Sequence, residues 1–360
     1  MAVKILIYAV CIAAVLVLFY YGVGVALFSQ MLSKKAASRG YNDLSDAHAL
    51  LGKAGASIKV QQMSAWERFL MRIINKAAGV DGLDAFYDKP YYQSFFDGLK
   101  WFFDNTPKNI TIDSPRGERL HAEMFLNEKK SDIWFICLHG FSSSPRDFGG
   151  AAKIYHDEWG CNVLLPYLCA HGKSESKYIS MGWLDRIDIA AWIDYLVKEY
   201  DNPKIILHGV SMGAATTMMT TGEDLPPNVI CAVADCGYTS VWDEYVEQAK
   251  VTFHVPPFPV LYALNTVAKK RLGFPLKEAS CVEQLKKSKT PTLFIHGDAD
   301  TFVPYWMLDK VYDACRAPKD KLTVQGADHA ESGYEFDLYY GTIQKFIARY
   351  LPEIKAVEEV

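Results

Sequence analysis

The segment Leu207-His208-Gly209-Val210-Ser211-Met212-Gly213 sets a serine between two glycines at G-x-S-x-G spacing, after a β-rich run and before an Ala- and Met-rich helical stretch. Strand, turn, helix is the setting that thrusts a serine above a sheet as a nucleophile. Gly209 and Gly213 are needed there because a Cβ at either place would collide with the neighbouring strand or helix. The inert alternative is a Gly-rich turn in which Ser211 only caps a helix. A serine hydroxyl is a weak nucleophile at neutral pH, so the chemical reading requires a base, usually His, oriented by a carboxylate.

Where such an elbow sits on a parallel sheet, the partners follow in the order Ser, Asp or Glu, His. Three histidines follow Ser211: His254, His296 and His329. Only His329, in Gln325-Gly326-Ala327-Asp328-His329, also follows the last apolar strand, and a loop beyond a strand's carboxyl end is where a site belongs. The carboxylate is expected at Asp300, in His296-Gly297-Asp298-Ala299-Asp300. Asp298, two residues earlier, and Asp235, after the preceding strand, remain open, with turn-forming or capping as their inert roles. Acyl transfer also needs two N–H donors for the developing oxyanion. Met212, after the nucleophile, supplies one, and Phe141, in Leu138-His139-Gly140-Phe141, supplies the other.

The elements that must position these residues are legible from Ile110 onward. Short β-rich runs at Leu120–Leu126, Ile133–Leu138, Asn162–Leu165, Lys204–Leu207, Val229–Ala234, Thr292–Ile295 and Lys321–Val324 alternate with helix-length stretches. That alternation implies βαβ units and a largely parallel sheet. It pauses between Cys236 and Lys289, where Pro256, Pro257 and Pro259 and several aromatics suggest a helical insertion over the sheet, about 237–289, as a lid. Residues 31–105 read as a helical lead-in with an aromatic cluster (Tyr87, Tyr91, Tyr92, Phe95, Phe96, Trp101, Phe102), ahead of a catalytic domain at 106–355.

Ahead of these lies an uncharged run of 24 residues, Ile5 to Phe28. At 1.5 Å per residue it reaches about 36 Å, enough to cross a bilayer. The apolar stretch of a cleaved signal is only about 7–15 residues, so residues 1–30 are expected to be an uncleaved, single-pass anchor. A body beginning after about Lys35 is then expected to be soluble alone. Charges flank the span on both sides, Lys4 before it and Lys34, Lys35 and Arg39 after it, and do not choose its orientation. The catalytic domain is expected on the extracytoplasmic side.

Half of the residues are apolar, and the formal charge of -4 gives no basic excess for nucleic acid. The eight scattered cysteines read as buried thiols, and no Cys/His cluster has zinc-site spacing. No metal or other cofactor is implied.

With these residues assembled, the chain resembles the α/β-hydrolase superfamily over about Phe102 to Leu351, and within it a branch of bacterial, often membrane-anchored serine hydrolases. The matching segments are HGFSSSPRDFGG at His139, AHGKSESKYISMGW at Ala170, HGVSMGAA at His208, ADCGYTS at Ala234, IHGDADTFVP at Ile295 and GADHAES at Gly326. The resemblance implies a mostly parallel sheet flanked by helices. It places Ser211, Asp300 and His329 as the triad and Phe141 and Met212 as the oxyanion hole. The chain departs from many relatives at Tyr167 and Cys169, where an Asp and an Arg are usual, which puts a local ion pair in doubt. Ser211 argues against the branches whose nucleophile is Asp or Cys. The expected activity is hydrolysis of a small-molecule carboxylic ester, acyl or aromatic acyl, through an acyl-enzyme. Thioesterase, acyltransferase and peptidase chemistry use the same machinery, and a non-catalytic binding module on this fold is the alternative of another class.

Overall fold

In a computed structural model of the chain, the structure describes residues 2–37, 90–128, 130–251 and 254–354. Most of the expected lead-in, including Tyr87, lies outside the described residues.

Eight strands form one sheet: β1 (Lys108–Asp113), β2 (Arg119–Phe125), β3 (Ile133–Leu138), β4 (Asn162–Pro166), β5 (Lys204–Val210), β6 (Val229–Asp235), β7 (Thr292–Gly297) and β8 (Lys319–Val324). Their spatial order is β1-β2-β4-β3-β5-β6-β7-β8. The first two pairings, β1 with β2 and β2 with β4, are antiparallel, and the rest are parallel. β1 is absent from the expected strands. It is an edge strand with one buried residue, Ile110, so it lacks the apolar run that marked the others.

Every residue of β3, β4 and β7 is buried, as expected for parallel strands covered on both faces. Alternation sends successive side chains to opposite layers. Trp134, Ile136 and Leu138 join one core with α3 (Asp185–Glu199), α4 (Met212–Thr220) and the insertion helices. Phe135 and Cys137 join the other, with Trp101 and Phe102 of α2 (Pro90–Asp104) and the C-terminal helix. Seven cysteines are buried thiols, and Cys11 is exposed.

The insertion is helical, with α5 (Val241–Val251), α6 (Pro257–Leu272) and a short helix at Cys281–Leu285. Beyond it come α7 (Trp306–Ala314) and α8 (Phe336–Ala348).

At the other end of the chain, α1 (Ala2–Met31) contains one stretch, Val10–Met31, long and apolar enough to cross a membrane. Its two halves differ. Val15 to Phe19 are 62–71% exposed, whereas Phe28, and Leu32 just beyond the helix, are 0% exposed and belong to the main core. Gly24 lies so close to α6 that a Cβ there would meet the Ala263 carbonyl oxygen at 2.4 Å. The boundary read from the sequence at residue 30 therefore runs through a packed contact. Hydropathy reports only that a helix is apolar. It does not distinguish apolar residues facing lipid from those facing a protein groove.

Candidate active site

The parallel register brings the loops that follow β3, β5, β6, β7 and β8 to one edge of the sheet. β3 and β4 lie to one side of the strand-order reversal and β5 to the other, so the crevice between the ends of β3 and β5 is a topological switch point. The β3 loop carries Phe141, and Ser211 follows β5.

Ser211 has φ 57° and ψ -117°, a left-handed backbone conformation that a side-chain-bearing residue adopts only under tight constraint. The constraint comes from both sides. A Cβ at Gly209 would meet the Gly213 carbonyl oxygen at 2.1 Å, and one at Gly213 would meet the Leu138 carbonyl oxygen at 1.8 Å. Only glycines let β5, β3 and α4 approach this closely, and the turn then lifts the Ser211 side chain into the crevice.

His329 Nε2 lies 2.9 Å from Ser211 Oγ, and His329 Nδ1 lies 2.8 Å from Asp300 Oδ2. An ionised carboxylate only accepts, so Nδ1 carries the proton and Nε2 is left as the acceptor facing the serine hydroxyl. Asp300 itself is buried. Its Oδ1 accepts from the N–H groups of Phe302 and Val303 at 2.9 and 2.8 Å, and His296 Nε2 approaches Oδ2 at 3.1 Å. Burial alone would raise this carboxyl, but the hydrogen bonds from His296 and His329 outweigh it and hold it down at about 2.

The two rival carboxylates face elsewhere. Asp298 Oδ1 accepts from Gly326 N–H at 2.6 Å, tying the β7 loop to the loop that bears His329. Asp235 accepts from Ser332 Oγ and Tyr339 Oη, both at 3.0 Å. Burial raises its carboxyl to about 6, even though those two bonds act against the rise. Tyr339 also contacts His208 Nε2 at 3.0 Å, and Tyr155 contacts His208 Nδ1 at 2.8 Å, so a buried polar network lies behind the serine.

The N–H groups of Phe141 and Met212 have no protein acceptor among the described residues. Met212 is the first residue of α4, where an orphan N–H is intrinsic to the helix end. The Phe141 loop is held by two histidines that sequence reasoning passed over. Leu168 N–H donates to His139 Nε2 at 3.2 Å, which leaves Nδ1–H to donate to the Gly140 carbonyl at 2.9 Å. Ser142 N–H donates to His171 Nε2 at 3.2 Å, and His171 Nδ1–H donates to the Cys169 carbonyl at 2.8 Å. Burial pushes both imidazoles well below their ordinary range and keeps them neutral, which these one-donor, one-acceptor bonds require. Both stand in the quoted motifs His139-Gly140 and His171-Gly172, a signal available but unused. Ser142 Oγ also donates to the Ala36 carbonyl at 2.9 Å, linking the loop to the segment after α1.

At the departing positions, Tyr167 Oη donates to Glu123 Oε1 at 2.9 Å, and Cys169 lies beside a guanidinium. Arg116, from the β1–β2 turn, places Nη2 3.3 Å from Cys169 Sγ and Nε 3.1 Å from Asp188 Oδ1. A guanidinium thus occupies this region from a different point in the chain.

A cavity of about 440 Å³ opens at Ser211 and His329, walled by Phe141, Phe148, Phe302, Tyr334 and Tyr340. Among the described residues, none from the insertion lines it. A larger cleft of about 920 Å³ near Asp104 and His156 contains none of the five expected site residues, so size alone does not locate the site.

A sequence profile of the prolyl oligopeptidase family matches residues 180–352. The uncharacterized protein YqkD of Bacillus subtilis is 27% identical over 190 residues, 52% of this chain and 62% of that one. The chain thus spans less than two thirds of YqkD. The human alpha/beta hydrolase domain-containing protein 17C is 23% identical over 269 residues, 74% of this chain and 70% of that one. Among solved structures, the Pyrococcus furiosus esterase Pf2001 aligns with a TM-score of 0.55 at 23% identity, covering 68% of this chain and 91% of the esterase.

Proposed function

From its place in the α/β-hydrolase superfamily, to which the chain belongs, we propose that it is a serine hydrolase cleaving small-molecule carboxylic esters through an acyl-enzyme, held to a membrane by α1. The observation that carries the reading is the hydrogen-bonded line Asp300–His329–Ser211 with two free N–H donors beside it.

In this reading Ser211 Oγ attacks the ester carbonyl carbon while His329 Nε2 takes its proton. The carbonyl oxygen becomes an oxyanion and accepts hydrogen bonds from Phe141 and Met212 N–H. Collapse expels the alcohol, which leaves with the proton from His329. Water then attacks the acyl carbon, His329 accepts its proton, and the acid departs as Ser211 regains a hydrogen. Asp300 stays ionised throughout and stabilises the imidazolium. The aromatic walls suit an apolar or aromatic acyl group. The prolyl oligopeptidase match favours a second reading on the same machinery, cleavage of short peptide amides.

The test is Ser211→Ala in the full chain, with p-nitrophenyl esters of graded acyl length and a fluorophosphonate probe. The variant is expected to fold, to lose about 10⁴-fold or more in turnover, and to escape labelling. Near-normal turnover in the variant, or a wild type that the probe leaves unlabelled, overturns the reading and favours a binding module.

A further inference from the structure

α6 carries exposed Tyr262, Thr266, Lys269 and Lys270, which follow one another along a helix face, and Phe258, at a kink in its first turn with extended backbone (φ -93°, ψ 135°), is exposed beside them. Phe258 is 69% exposed and Tyr262 40%, yet their rings pack together with centroids 5.6 Å apart. Lys277 Nζ stands 5.0 Å from the Tyr262 ring. Exposed aromatics bordered by cations are costly in water and common at a bilayer surface.

The stripe lies where α1 first meets the body of the protein. The bare half of α1 ends at Phe19, and the next residue, Tyr20, brings its hydroxyl 3.3 Å from Thr266 Oγ1. Thr266 Oγ1 in turn donates to the Tyr262 carbonyl at 2.8 Å. Lys270 Nζ sits 5.6 Å over the Tyr21 ring. Counted at 1.5 Å per residue, the stretch from Ala2 to Phe19 is about 27 Å long, close to the roughly 30 Å of a hydrocarbon core, provided that Lys4 near its far end extends its ammonium out to the opposite headgroups. A bilayer filled by that stretch ends at Tyr20 and Tyr21, level with the α6 stripe. Tyrosines with adjacent lysines are what lipid headgroups select at that depth.

We propose that the α6 stripe is a seat on an anionic phospholipid bilayer. Phe258 and Tyr262 rest in the headgroup region, and Lys269 and Lys270 face the lipid phosphates. The seat rests on α1 being a membrane span. It assigns the insertion, whose described residues line no part of the cavity at Ser211, the task of fixing the domain's height and tilt on the membrane.

The test uses the full chain carrying Cys11→Ser, reconstituted into phosphatidylcholine vesicles with and without phosphatidylglycerol. One cysteine is introduced by Tyr262→Cys and labelled with an environment-sensitive fluorophore. Lys198→Cys is the control, at a side chain 82% exposed on α3. The Tyr262→Cys label is expected to shift to the blue, to be quenched by headgroup-level spin-labelled lipid, and to resist aqueous iodide several-fold better than the control. Lys269→Gln with Lys270→Gln should reduce the contrast between anionic and neutral vesicles. Protein that resists carbonate extraction while its Tyr262→Cys label is as open to iodide as the control overturns the seat and leaves the anchor standing. A label shielded from iodide but untouched by lipid quencher also overturns it, since protein then covers the stripe. Protein that does not remain with the vesicles overturns the anchor and the seat together.

Discussion

Removing the first 32 residues should unfold this protein, whereas removing the first 19 should not. The sequence suggests a free-standing body after about Lys35, but Phe28 and Leu32 are fully buried in the main core, and Gly24 is in backbone contact with Ala263. Cutting a buried Phe to Ala typically costs about 3–5 kcal/mol and a buried Leu about 2–5. Losing both contacts therefore costs about 5–10 kcal/mol if they add, against a total stability of about 5–15 kcal/mol. The groove left behind, where Ala263 and Val267 of α6 meet Gly24, becomes an exposed apolar surface and a route to aggregation. A chain beginning at Tyr20 keeps all of these contacts. The assay compares the two truncations by size-exclusion chromatography and thermal unfolding followed by circular dichroism. A monomeric chain lacking residues 1–32 that melts within about 2 °C of the longer one would refute the reasoning, because even 1 kcal/mol shifts a midpoint by about that much.

Asp300→Asn should lower ester turnover about 10³- to 10⁴-fold near pH 7 with the fold intact, while Asp235→Asn and Asp298→Asn should be much milder, as read by steady-state kinetics. The reverse pattern would move the acid to Asp235. A second expectation concerns His208, which burial holds down at about 3 between Tyr155 and Tyr339. Its folded value lies below that of the unfolded chain, so the unfolded state binds the extra proton, and the contribution to stability present above about pH 6.5 is lost as the pH falls. Between pH 7 and pH 5 this amounts to about 2 kcal/mol, and urea unfolding of His208→Gln should show a pH dependence flatter by that amount. An unchanged slope would mean that His208 is not held neutral.

How much was legible in advance differs from residue to residue. Ser211, with its glycines, announces itself because a tight strand-to-helix turn can be built from few residue types, and such local chemistry is visible in a string of letters. The parallel sheet is visible for a similar reason, since β-rich runs at regular spacing have few other uses. His329 and Asp300 were reached through chain order and position after a strand. What chain order cannot give is direction. Whether Asp300 or Asp235 faces the imidazole depends on which neighbours fill each loop, and those neighbours, Ser332 and Tyr339 for Asp235, come from distant parts of the chain. The same holds for His139 and His171, whose roles depend on N–H groups of the residues Leu168 and Ser142. Hydropathy makes α1 one uniform apolar helix. Its division into a bare half and a docked half exists only once α6 presents a groove to one of them, because burial is a relation between surfaces that one segment cannot specify alone.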